Sequence, residues 1–171
     1  METKAVIAFL EARGAATLEH PGGTLLAHLQ RTAATLERWG AAPELVVAGL
    51  AHATYGTDGF PPALAPLDER HLVRQVLGST AEEIVYRYCA SDRGVTWGHL
   101  ADDQVPYRDR FTGEECAVGG DDLRAYWTLT TANELDLVPR LPGGEGMVPL
   151  LSQGSHLLPE AALVELRRYA S

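Results

Sequence analysis

The sequence predicts an all-α protein, a compact bundle of about six helices with at most a minor β-hairpin. Three observations predict it. Apolar residues recur at helical spacing through most of the chain, most clearly at Leu25, Leu26, Leu29, Ala33 and Leu36. Gly14, Gly40, Pro43 and Pro159 stand where helices would end or begin. Alternation of the strand type appears only between 93 and 120, and weakly.

In order, the first helix covers 3–13, with Val6, Ile7, Phe9 and Leu10 as its stripe and Gly14 as its stop. AATLEHPGG then turns the chain. TLLAHLQRTAATLERW forms the next helix, with Gly40 capping its end. PELVVAGLAHATY starts at Pro43 with Glu44 beside it, and its apolar surface nearly all round puts it at the centre of the bundle. DGFPPALAP breaks the pattern. LDERHLVRQVLG follows with Asp68 as its cap, then STAEEIVYRYCA with Ser79 and Glu82 in capping-box spacing. VPYRDRFTGEECAV reads as a small hairpin turning near Thr112-Gly113. Asp121 or Asp122 caps the helix DDLRAYWTLTTANELDLV. Residues 141–158 read as a loop, long enough to act as a lid or binding segment, before a last helix from Pro159.

At 171 residues the chain reads as one domain, 1–171, able to bury roughly 70% of its unfolded surface. Fourteen Lys and Arg against 23 Asp and Glu give a net charge of −9, with no basic cluster, which argues against nucleic acid or anionic lipid as partner. METKAVIAFLEARG lacks the pattern of a signal peptide, and no apolar run approaches the ~18 residues of a membrane span. Cys89 and Cys116 share no metal-ligand spacing, so free thiols and a cytoplasmic location are expected. The apolar stretch EAALVELRRYA offers a face for a second copy, and so for a homodimer.

The histidines carry the functional reading. His28 lies at the edge of an apolar stripe, and His52 lies on the central helix with Tyr55 three residues on. The short GAA connection favours antiparallel packing of the two helices, which brings His28 and His52 to similar heights across one cavity. Burying two imidazoles without partners costs on the order of 1–3 kcal/mol each, so their pairing carries a reason. His20, in the HPGG turn, can swing over the second helix. His71 sits among Asp68, Glu69, Arg70 and Arg74 and reads as surface. Asp92 and Arg93 end a helix, where an Asp opposes the macrodipole and asks for a partner. Asn133, inside an apolar helix, asks for one too.

LLAHLQRTAATLERWG followed by PELVVAGLAHA resembles the opening of the HD-domain superfamily, all-helical metal-dependent phosphohydrolases and related oxygenases. The resemblance covers roughly 18–136. It aligns His28 with the family's first histidine and His52 with the histidine of its His-Asp pair. Ala53 stands where the paired Asp would be, and Asn133, after Ala132, where the last Asp would be. AGLAHATYGT is similar to a subgroup of small bacterial HD-like proteins. The resemblance implies an HD-like fold with a pocket between these helices. The missing carboxylates are those that would hold a divalent cation and activate its water.

The expected function is therefore a small-molecule enzyme on a degenerate HD-like scaffold. It would work by acid–base chemistry: isomerisation, elimination, cyclisation or hydrolysis. His52 serves as general acid or base, His28 as its partner or as a hydrogen-bond donor to substrate, and Tyr55 orients His52 or donates a proton. His20, Thr57, Asp92, Arg93 and Asn133 bind substrate, Asn133 through a carbonyl or phosphoryl oxygen. One alternative is a metal-dependent HD-like phosphohydrolase or oxygenase with a rearranged site, a divalent transition metal, Fe, Mn or Zn, sitting on His20, His28 and His52 with Asp92 or another carboxylate. Another is a non-catalytic module that binds a small ligand in the same cavity.

Overall fold

The computed structural model describes residues 3–169. Seven α-helices account for most of it: α1 Thr3–Ala12, α2 Leu25–Arg38, α3 Pro43–Ala51, α4 Arg70–Leu77, α5 Ser79–Ala90, α7 Gly120–Leu137 and α9 Glu160–Arg167. Two short helices, α6 Arg93–Thr96 and α8 Val148–Gln153, bring the number among the described residues to nine, against about six expected. Two antiparallel hairpins complete the fold. One joins β1 Glu19–His20 to β2 Gly23–Thr24, and the other joins β3 Gln104–Arg108 to β4 Glu115–Gly119.

Local chemistry explains the boundaries. Thr24 caps α2, its hydroxyl accepting from the Ala27 N–H at 3.2 Å. Trp39 closes α2, and Gly40 follows at φ +73°, the left-handed conformation that releases the chain toward Pro43. The second hairpin turns at Gly113 as its sequence predicts. The first was expected only as a turn. Its strands are two residues each, too short for alternation to register.

Three expectations about helix ends need correction. Ser79 makes no capping bond and Glu82 turns inward, because Arg70, Arg74 and Tyr55 all reach its carboxylate. Neither Asp121 nor Asp122 caps α7: Gly119 precedes it, and Asp122 pairs with Arg87 at 2.6 Å. Asp68 likewise makes no side-chain cap, since a 3-10 turn over Leu67–Glu69 leads into α4. Residues 141–158 are not a loop. They fold into a 3-10 turn over Gly144–Met147, then α8, then a second 3-10 turn over Ser155–Leu157, with Val148, Leu151 and Leu157 buried.

The apolar interior has two lobes. Val6 and Leu10 of α1 and Val73 and Leu77 of α4 pack with the N-terminal half of α2 and with Ala48, Leu50 and Ala51 of α3. Trp127, Leu129 and Leu135 of α7 pack with Leu36, Trp39, Leu100, Leu151 and Leu166. Helices α2, α3 and α5 run through both lobes, and α7 lies against α2, α3 and α5. The polar site forms where α7 meets α2 and α3. No helix among the described residues is long and apolar enough to cross a membrane.

Candidate functional site

Three helices bring the site together. His28 is on α2, one turn past the Thr24 cap, and fully buried. His52 is the residue that closes α3. Its carbonyl accepts from the buried Cys89 thiol at 3.0 Å, which fixes the backbone where α3 ends. Asn133 and Asp136 are one turn apart on α7, and so share a face.

The hydrogen bonds fix which nitrogen does what. Nδ1 of His52 donates to the Gly49 carbonyl at 2.7 Å, so its Nε2 presents a lone pair. Nδ1 of His28 donates to Oδ2 of Asp136 at 2.7 Å. Nε2 of His28 then faces the His52 lone pair at 3.2 Å and Oδ1 of Asn133 at 2.9 Å. Nδ2 of Asn133 donates to Oε1 of Glu134 at 2.9 Å, which leaves its Oδ1 as the acceptor. Every group around His28 accepts, so both nitrogens carry a proton to meet them, with the single Nε2–H shared between His52 and Asn133.

Electrostatics agree with this distribution. Burial pushes His52 down to about 3, and the neighbouring His28 charge adds to the effect, so His52 is neutral at pH 7. Burial alone would raise the Asp136 carboxyl. Hydrogen bonds from His28 and Arg31, and their charges, more than reverse this and hold it well below the usual carboxylate range. Arg31 bonds Asp136 through Nε at 2.7 Å and Nη2 at 2.9 Å, and Arg140 adds a contact at 3.1 Å. His20 stacks on His28 with ring centroids 4.1 Å apart and meets the Phe60 ring edge-on. Its Nδ1 is buried without a partner, and burial lowers its pKa to about 4.

A cavity of about 340 Å³ opens beside this cluster. His20, His52, Thr57, Arg93 and Asn133 line it, with Glu134, Phe60, Leu137 and Leu141 among the rest of its wall. His28 stands behind the wall, in contact with His52 and Asn133. Arg93 donates to Glu134 at 3.1 Å and to the Tyr88 hydroxyl at 3.2 Å, so a charge pair borders the cavity. Thr57 accepts from the Phe60 N–H at 3.0 Å and holds that ring in place.

Two expected residues lie elsewhere. Tyr55 donates to Glu82 at 2.9 Å, not to His52, because α3 stops at Ala51 and the three-residue spacing no longer puts the two on one face. Asp92 begins a helix instead of ending one. It caps α6 by accepting from Val95 and pairs with Arg108 at 3.4 Å, outside the cavity wall. His71 is exposed, as expected. The sequence reading missed Asp136, Glu134 and Arg31. Asp136 had a signal, three residues beyond Asn133, and Arg31 had the same spacing from His28.

One expectation from the sequence is a divalent transition metal on His20, His28 and His52, and the donors present are few. His28 spends both N–H groups on acceptors, so only one nitrogen of His52 and the amide oxygen of Asn133 remain, while Asp136 and Glu134 are spent on Arg31, Arg140 and Arg93. The proposed trio of His20, His28 and His52 does not converge either. Among the described residues no group of three or more His, Cys, Asp or Glu is disposed to hold a metal ion.

Residues 9–93 match the family model described as a domain of unknown function (DUF6817). The matched span carries His20, His28 and His52, while Asn133, Glu134 and Asp136 lie beyond it. No curated protein and no solved structure matches the chain.

Proposed function

We propose that this chain is an enzyme for a small polar molecule that works by proton transfer from the His28/His52 pair. The contact between the two Nε2 atoms, 3.2 Å apart beside the cavity, carries the reading. With both His28 nitrogens donating, as the bonds around it require, the pair carries one proton beyond neutrality, and Asp136 accepts one of the two N–H bonds. His52 lines the cavity and His28 does not. The proton therefore passes from Nε2 of His28 to His52 and from there to a substrate oxygen or carbon, and the neutral pair becomes the base of the return step. Isomerisation, elimination, cyclisation and hydrolysis all fit such a cycle. Arg93 and Glu134 position the substrate's polar groups, and Asn133 holds the His28 proton in line. An HD-like ancestry accounts for histidines on two consecutive helices meeting a polar residue on a later one.

The test is solvent-isotope exchange. Purified protein is incubated in D2O with mixtures of small metabolites, and mass spectrometry follows deuterium uptake or new products. Turnover that falls by about 100-fold or more in both His28→Gln and His52→Gln is the expected result. Turnover unaffected by either substitution, or no turnover across the mixtures, overturns the proposal. A ligand that binds and emerges unchanged would mark a binding module instead.

A further inference from the structure

On the opposite side of Asp136 from the histidine cavity lies a second cavity of about 240 Å³. Arg31, Thr35 and Arg38 of α2, Asp136 of α7, Arg140, and Glu165 of α9 line it. The geometry points to an anion site here, for a phosphate-sized oxyanion, coupled through Asp136 to His28.

Charge carries the first part of the argument. The chain holds 14 basic residues against 23 acidic ones, yet three arginines meet two carboxylates around this cavity. Asp136 is heavily shared, because it answers Arg31, Arg140 and His28 at once. Glu165 accepts from the Trp39 indole at 2.9 Å and meets Arg38 only at 3.4 Å. Arg38 is 59% exposed, with its shorter bond to the Thr35 hydroxyl at 3.1 Å. One guanidinium charge is left without a full counter-charge, and guanidinium groups suit the oxygens of a phosphate.

Asp136 carries the second part. It lines the second cavity and reaches the first through His28, with Oδ2 on His28 and Arg31 and Oδ1 on Arg31 and Arg140. An anion that draws Arg31 or Arg140 toward itself leaves Asp136 a stronger acceptor for the His28 proton. The His28/His52 pair then gives up that proton less readily, so the anion acts as a brake. The brake rests on the function proposed above, whereas the binding does not.

Calorimetric titration of the full chain with inorganic phosphate at low ionic strength tests the binding. Saturable one-to-one binding is expected, weakened about fivefold or more by Arg38→Ala and by Arg140→Ala. Glu165→Gln, which removes a competing carboxylate, should tighten it severalfold, so the test does not depend on loss alone. His52→Gln should leave it within about twofold, and the His28 Nδ1–H resonance should shift along the same saturation curve. Methyl phosphate binding more tightly than inorganic phosphate would assign the site to a phosphomonoester; equal or weaker binding would assign it to free phosphate. The proposal falls on any of three results: no saturable binding, affinity indifferent to both arginine substitutions, or binding lost in His52→Gln. None of these readouts uses catalytic activity, so an inactive histidine pair leaves the outcome intact.

Discussion

Asp136 accepts the Nδ1–H of His28 at 2.7 Å, and that bond decides which nitrogen of His28 meets His52. Without it nothing on the Nδ1 side would hold the ring so that Nε2 faces Asn133 and His52. The carboxylate is 6% exposed and serves Arg31 and Arg140 as well, so three cationic contacts and the ring orientation depend on one side chain.

Asp136→Asn should therefore reduce both activity and stability. The substitution leaves Arg31 and His28 facing an amide, and breaking a largely buried pair in this way costs about 2–3 kcal/mol once the partial exposure of Arg31 is allowed for. Urea denaturation measures the stability loss. The isotope-exchange assay should lose about 10–100-fold with the fold retained.

Acid should destabilise the protein before its carboxylates titrate. His52 binds a proton near 6.5 when unfolded but only near 3 when folded, and His20 near 4. The unfolded state therefore takes up more protons below 6.5, and stability falls as pH drops through that value. The steepest slope from one such group is about 1.4 kcal/mol per pH unit. Denaturation midpoints measured between pH 7 and 5, above the carboxylate range, should decline in the wild type and decline less in His52→Gln.

Tyr55→Phe should leave turnover unchanged and lower stability by about 1–2 kcal/mol. Its hydroxyl bonds the buried Glu82 carboxylate, which keeps Arg70 and Arg74 as partners after the substitution. Loss of turnover without loss of stability would return Tyr55 to the site.

Gly56→Ala should destabilise by about 2 kcal/mol or more. Gly56 sits at φ +70°, and a Cβ there would lie 2.4 Å from the Pro61 carbonyl oxygen. Thermal melting measures the loss. Displacement of the adjacent Thr57 and of Phe60 should also weaken any ligand of the histidine cavity.

Protein purified without chelator should hold no stoichiometric transition metal, as the donor set around His28 implies. Near-stoichiometric metal by elemental analysis, lost in both His28→Ala and His52→Ala, would reverse that reading.

Much of this arrangement was legible in the sequence. The helical periods around Leu25–Leu36 and the short connection to Pro43 are local signals, and they were enough to bring His28 and His52 together. Asn133 announced itself as a polar residue inside an apolar helix, and its partner proved to be His28. Helix ends were less legible, because tertiary contacts set them. Glu82 left its capping position for Arg70 and Arg74, and α3 stopped one residue before His52, which turned Tyr55 away. Asp136 was hidden for another reason: an aspartate near a helix end looks like any solvated charge until Arg31 and His28 are seen beside it.

The two lobes of the interior meet where this polar chain crosses. Asp136 and Asn133 fasten α7 to α2 at His28, and His28 reaches the end of α3 at His52, so the same bonds that orient the two imidazoles also brace three helices. A variant chain with no use for the proposed proton transfer could not simply discard these residues, because it would first have to find another brace. Their persistence in a chain would thus record mechanical necessity as much as catalysis, and an inactive relative could keep the whole constellation for its architecture alone.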